Sequence, residues 1–395
     1  MSPAPPAARS QGAQDVADLV SRNGVLICCG SGGVGKTTIA AVLALEGARQ
    51  GRRTCVITID PAKRLADALG LENLSDAPSE IARERWHDDA AKPDGSLAAM
   101  MLDTKSTFDH LVTGNAVSPD QAQRILDNRF YRNVSGALGG TQEYMAMEKL
   151  HELHDHGNFD LIVIDTPPTR HALDFLDAPR RLLRLLDNRI FRLLMMPTRA
   201  YLKVASVAVR AFLHTVARVV GSEAIDDVVA FFRAFEGMEE GFRERALAVE
   251  ALLAAPETGF VLVTSPRRDA MDEAQFFARQ LERNGQTIDA LIVNRVHPQF
   301  GEEAPEGLRA AAQELSHMDQ PAARHLAARY ENLANFREIA GLERAHVEGV
   351  QARVGATSIC FVPYLSRDVY DFSALREIGR LLFEPAVRPQ TQARI

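Results

Sequence analysis

Cysteine and lysine are both scarce in this chain. The four cysteines among 395 residues are Cys28, Cys29, Cys55 and Cys360, and all sit inside apolar runs. No pair stands on a loop at metal-ligand spacing, so no structural zinc is expected and each thiol reads as a small core hydrophobe. No lysine follows Lys203, and arginine supplies most of the positive charge, which is a compositional bias and not a chemical signal. Net positive charge is lacking too. The 45 Lys and Arg against 52 Asp and Glu leave a formal charge of −7, which argues against the basic stripe of a nucleic-acid-binding protein. No apolar run nears the roughly 20 residues of a membrane-spanning helix. Met1–Gln14 has neither a charged start nor an apolar centre, so no export signal is expected. With so few cysteines, the expected compartment is the cytoplasm. No internal repeat is visible.

Hydrophobic residues make up 46% of the chain, enough to fill a real core. Apolar, β-branched runs recur at Val25–Cys29, Thr54–Ile59, Leu97–Leu102, Leu161–Ile164, Phe260–Val263, Leu291–Val293 and Ile359–Val362. They lack polar alternation and so read as strands buried on both faces. Strands alternating with helical stretches predict an α/β fold with a doubly wound, mostly parallel sheet. Two stretches break the alternation. Residues 178–255 hold no convincing strand and are expected to form an inserted helical subdomain, a candidate client or dimer surface. Residues 298–356 are alanine-rich and also expected to be helical. The resulting organisation is a flexible tail at 1–14, a first core part at 15–177, the helical subdomain, a second core part at 256–384, and a tail at 385–395.

The richest signal is Gly30-Ser31-Gly32-Gly33-Val34-Gly35-Lys36-Thr37-Thr38. It follows an apolar strand and opens an alanine-rich helix, which is the context of a phosphate-binding P-loop. Glycines let backbone N–H groups turn toward an anion, and the helix N-terminus adds partial positive charge. Gly32 to Thr38 are therefore the expected nucleotide contacts. Lys36 neutralises phosphate charge, and the Thr37 hydroxyl is a magnesium ligand. The expected cofactors are ATP and Mg²⁺. Asp60 ends the second strand, where a carboxylate can orient an attacking water; an Asp followed by Pro61 also suits a helix cap. Asp165 ends the fourth run in the pattern of a Walker-B acid that touches magnesium directly or through water. Asn294 closes a later strand, as an adenine contact or as a turn residue.

These stretches resemble the arsenite-pump and tail-anchored-protein-targeting ATPases (ArsA/GET type), part of the deviant P-loop class that includes Min and Par ATPases. The similar stretches are Gly30–Thr38, Asp60-Pro61-Ala62, Asp165–His171, Val293-Asn294 and Val362-Pro363-Tyr364, in the family's order along nearly the whole chain. Asp165-Thr166-Pro167-Pro168-Thr169-Arg170-His171 is close to the family's Asp-Thr-Ala-Pro-Thr-Gly-His switch. The resemblance implies that Asp60 positions water from switch I, that Asp165 belongs to switch II, and that Asn294 and Pro363 hold adenine. It also places a client-binding subdomain at 178–255. Three features depart from the family. The lysine that reaches across the dimer is replaced by Ser31. No cysteine pair stands in 298–356, and the metalloid-binding cysteines are absent. With one P-loop and Thr141–Lys149, the chain is most similar to a bacterial single-P-loop branch.

The resemblance implies a dimeric ATPase switch. Its partner is a second copy or, because of Ser31, a lysine-bearing paralogue; Arg64 or Lys63 are alternative substitutes for the missing cation. The expected client is hydrophobic or membrane-associated. The alternatives are an energising subunit of an anion or arsenite exporter and a weakly active nucleotide-binding scaffold. The unusually apolar stretch 197–220 carries its ionisable groups on one arc, as either a core helix or a client groove.

Overall fold

The computed structural model describes residues 6–59, 64–87, 95–134, 141–167, 169–188, 227–228, 230–232, 234–298, 300–366 and 368–383. Strands β1 (Val25–Gly30), β2 (Arg53–Thr58), β3 (Ser79–Glu80), β4 (Ser96–Met101), β5 (Leu161–Asp165), β6 (Thr258–Thr264), β7 (Ala290–Val296) and β8 (Ser358–Pro363) form one sheet. Their order is β3-β4-β2-β5-β1-β6-β7-β8. All described pairings are parallel except β3 with β4. Each long strand grows from an apolar run named above. The short β3 does not, because both its residues are exposed and carry no apolar signal.

The connecting helices are α1 (Pro6–Arg22), α2 (Lys36–Arg49), α3 (Arg64–Ala68), α4 (Thr104–Asn115), α5 (Pro119–Leu126), α6 (Arg129–Val134), α7 (Thr141–His156), α8 (Thr169–Leu186), α9 (Glu239–Ala254), α10 (Arg268–Arg283), α11 (Pro305–Ser316), α12 (Pro321–Val354) and α13 (Phe372–Phe383). They cover both faces of the sheet, as a parallel sheet requires. Ile27, Cys29, Ile57 and Ile164 point to a layer holding Met147, Phe175, Val249 and Phe277. Their strand neighbours Leu26, Cys28, Val56 and Val163 point the opposite way, to Val20, Ile39, Leu43 and Leu375. The period-2 alternation of strand side chains thus feeds two cores.

Helix α1 begins at Pro6, inside the stretch expected to be a loose tail, and Val16 and Val20 on it are buried. Residues 385–395 lie outside the described residues. Much of the expected helical subdomain, including 197–220, also lies outside them. Its described part is helical, and it joins α4 to α7: Leu111, Val112, Tyr131 and Met145 share a cluster with Phe235, Met238 and Phe242. Inside this helical unit, Glu148 of the Thr141–Lys149 stretch is 2% exposed. It accepts from Arg245 Nε at 2.9 Å and from the Tyr144 hydroxyl, so a buried carboxylate ties α7 to α9. The second interruption forms the helices α11 and α12.

The strand order places β1 between β5 and β6, with β2 beyond β5. The carboxyl end of β1 is therefore the point from which chain connections diverge to both sides, where open α/β sheets bind ligands. Gly30 closes that strand with φ 150°, and a Cβ there would sit 2.0 Å from the Val263 carbonyl oxygen. Gly30→Ala is expected to destabilise the fold by about 1–3 kcal/mol, read as a lower urea midpoint. Gly32→Ala, whose Cβ would meet nothing within 4 Å, is the control and should stay within about 0.5 kcal/mol.

Candidate functional site

The turn after β1 carries Gly33 at φ 77° and Gly35 at φ 96°, a left-handed backbone that glycine adopts without Cβ strain. A Cβ on Gly35 would lie 2.3 Å from Asn294 Nδ2, whereas one on Gly32 or Gly33 would meet nothing within 4 Å. The loop is thus closed against β7 on one side and open on the other. Helix α2 then starts at Lys36 with no side chain capping it. In α4, by contrast, the Asp103 carboxylate accepts from the N–H groups of Lys105 and Ser106 at 2.8 and 3.0 Å. An uncapped N-terminus keeps its amide donors for an anion.

Lys36 is 8% exposed and donates from Nζ to the Ser31 carbonyl at 2.9 Å. Ser31 is itself 7% exposed, and its hydroxyl has no hydrogen-bond partner among the described residues. Thr37 Oγ1 donates to Asp165 Oδ2 at 2.7 Å, and Thr58 Oγ1 donates to the same oxygen at 3.0 Å. Asp165 pairs in register with Cys28 of β1 on one side and Thr58 of β2 on the other. Three strand ends and one helix start therefore converge on one buried carboxylate. Magnesium takes oxygen ligands and keeps waters and substrate phosphates among them, and a Thr hydroxyl beside a carboxylate offers protein oxygens for such a site. With the open loop face, the buried unpartnered hydroxyl and these two oxygens, the residues fit a nucleotide polyphosphate with its metal.

Pro363 ends β8, but Asn294 does not close its strand as expected: β7 runs on to Val296 because Val296 still pairs with Pro363, and Asn294 stands opposite Val362 in register. Asn294 is 9% exposed. Its Nδ2 donates to the Val34 carbonyl at 2.8 Å and its Oδ1 accepts from Arg295 N at 2.9 Å. It is thus engaged with the loop, a contact that its spacing in the sequence did not signal. A cavity of about 300 Å³ opens between the loop residues Ser31 to Val34 and the Arg295, His297 and Tyr364 side. His297 is fixed there by Glu343 of α12, at 2.7 Å from Nδ1. Asp60, with Pro61, Ala62 and Lys63, lies outside the described residues; Ile59, just before it, donates its N–H to the Asp165 carbonyl at 3.2 Å. The side chains of Thr169, Arg170 and His171 also lie outside the described set.

The sequence pattern of the anion-transporting ATPases matches residues 23–318. A protein of Aquifex aeolicus named as an arsenical pump-driving ATPase is 22% identical over 368 residues, covering 91% of this chain and 78% of that protein. An uncharacterized protein of Streptomyces coelicolor is 29% identical over 276 residues, covering 69% of this chain and 63% of its own length. The ATPase GET3 of Malassezia globosa is 29% identical over 161 residues, covering 39% of this chain and 42% of the relative. The chain thus spans less than two thirds of the last two proteins.

Cys28 and Cys29 of β1, Cys55 of β2 and Cys360 of β8 are free and buried. Burial pushes the Cys29, Cys55 and Cys360 thiols up from 9.0 to about 12, and holds Cys28 well above its usual value, with the Asp165 charge adding to it. The thiolate, the form that reacts and binds soft metals, is therefore suppressed. All four cysteines are expected to resist a disulfide reagent at pH 8 in the folded protein and to react once it is denatured. Unfolded thiols ionise near 9.0, whereas the buried Cys29, Cys55 and Cys360 are pushed up to about 12 and Cys28 lies well above its usual value. The thiol contribution to stability is accordingly constant below pH 9 and declines as pH rises above it. Rapid labelling of the native protein would contradict the assignment of these thiols to the core.

Proposed function

Because the chain belongs to the anion-transporting ATPase family, we propose that it is a magnesium-dependent switch that works as a dimer and couples nucleotide state to the handling of a hydrophobic or membrane-associated client. Its activity as an ATPase follows from the family and from its ATPase relatives. The observation that supports magnesium-nucleotide binding is the Thr37–Asp165–Thr58 cluster at the start of α2, beside an open glycine loop; the dimer and the client rest on the family resemblance.

In this reading the uncapped amides of the loop and α2 bind phosphate oxygens, and the Lys36 ammonium leaves the Ser31 carbonyl for them. Thr37 and Asp165 would hold magnesium, which when bound would supply positive charge against the phosphate oxygens. Asp60 orients the water that attacks the γ-phosphorus as the bond to the ADP oxygen breaks, giving ADP and inorganic phosphate. Asn294 and Pro363 face the base. No helix of the described residues is long and apolar enough to cross a membrane.

Ser31 brings no lysine to a partner's site, so a dimer with a lysine-bearing paralogue is the assembly we favour, and Ser31→Lys in the isolated chain tests it by turnover. A second reading, the energising subunit of an anion exporter, draws on the name of the Aquifex aeolicus relative. Its arsenite version lacks support from the four buried thiols.

Lys36→Ala is expected to abolish ATP binding, because it removes the cation at the mouth of the loop. Asp60→Asn is expected to keep binding and to slow turnover by roughly a hundredfold or more. Calorimetry and a phosphate-release assay separate the two. Hydrolysis by Asp60→Asn at the wild-type rate would remove Asp60 from the role given to it.

A further inference from the structure

Among the described residues, two non-glycines have positive φ: Asn158 at 53° and Arg295 at 62°. Asparagine tolerates the left-handed region, while for arginine it is uncommon and strained. Arg295 also sits at a register shift between Asn294 and Val296 in the pairing of β7 with β8. A bulge of this kind re-aims a side chain next to a site, and strain persists where the surroundings over-determine it. Here the side chain is aimed at the phosphate loop. Arg295 is exposed, yet its Nη1 donates to the Gly33 carbonyl at 2.8 Å. Its neighbour Asn294 donates to the next carbonyl, that of Val34, also at 2.8 Å. The two residues are themselves joined, Arg295 N to Asn294 Oδ1 at 2.9 Å.

Two successive residues of β7 thus hold two successive carbonyls of the loop. A trans peptide is planar, with C=O and the following N–H pointing in opposite directions. Drawing the carbonyls of Gly33 and Val34 toward β7 turns the N–H groups of Val34 and Gly35 the other way, to the open face. We propose that Arg295 is a positioning residue of the phosphate-binding loop: with Asn294 it fixes the 33–34 and 34–35 peptide planes in the orientation that receives an anion. The inference rests on the reading of this loop as an ATP site. A hydrogen bond from a charged donor is strong enough to change a binding constant by about tenfold or more.

The test uses Arg295→Asn and Arg295→Gly in the full chain. Both residues accept φ near 62° and neither carries a guanidinium, so both variants are expected to fold. Thermal midpoints should equal or exceed that of the wild type, since backbone strain is relieved. Affinity for magnesium with a nonhydrolysable ATP analogue, measured by calorimetry, should fall about tenfold, and KM for ATP should rise more than kcat drops. A merely structural role would lower the thermal midpoint and leave this split absent. Variants that fold and bind the analogue as tightly as a wild type that does bind it would overturn the role of Arg295 alone. A wild type that binds no analogue would overturn the ATP-site reading and this inference together.

Discussion

Two threonine hydroxyls on one buried carboxylate organise the functional end of this molecule. Thr37 and Thr58 both donate to Asp165 Oδ2, from the first turn of α2 and the end of β2. Asp165 is 1% exposed, and a buried carboxylate is tolerated only where hydrogen bonds or cations compensate for lost water. That requirement fixes how far β2, β5 and the P-loop helix stand from one another. The parallel register Cys28↔Asp165↔Thr58 supplies the spacing, and the two hydrophobic layers supply the rigidity behind it.

The opposite wall is made by β7. Asn294 and Arg295 hold the loop from the side away from Asp165, and the lack of a Cβ on Gly35 lets the Asn294 amide approach. Asn294, the residue proposed to meet the base, thus already shapes the loop through its bond to the Val34 carbonyl. Farther out, the His297–Glu343 pair ties the same strand end to α12, so the longest helix of the second core part is connected to the cavity.

The P-loop was legible because glycine spacing, a preceding strand and a following helix all appear in the linear order. Asp165 stood out only together with the P-loop, because an acid closing an apolar run is by itself an even choice between roles; the structure sets its carboxylate 2.7 Å from the Thr37 hydroxyl. The long strands followed from their apolar runs, while β3 escaped because two exposed residues leave no pattern. The helical unit was read from 178 onward, yet it also draws on α4 to α7; amphipathic helices do not announce which neighbours they join. Arg295 was invisible for a different reason. Its importance lies in a bulge and a positive φ, which are properties of strand pairing and not of residue type.

In the proposed function Asp165 joins the loop to a magnesium-bound nucleotide and does not serve only as an internal strut. The magnesium dependence of ATP binding tests it most directly, measured by calorimetry on the wild type and on Asp165→Asn, with the fold of each checked by circular dichroism. Magnesium should tighten ATP binding to the wild type, and in the folded variant most of that enhancement should vanish while magnesium-free binding persists. An equal enhancement by magnesium in both proteins would contradict the account.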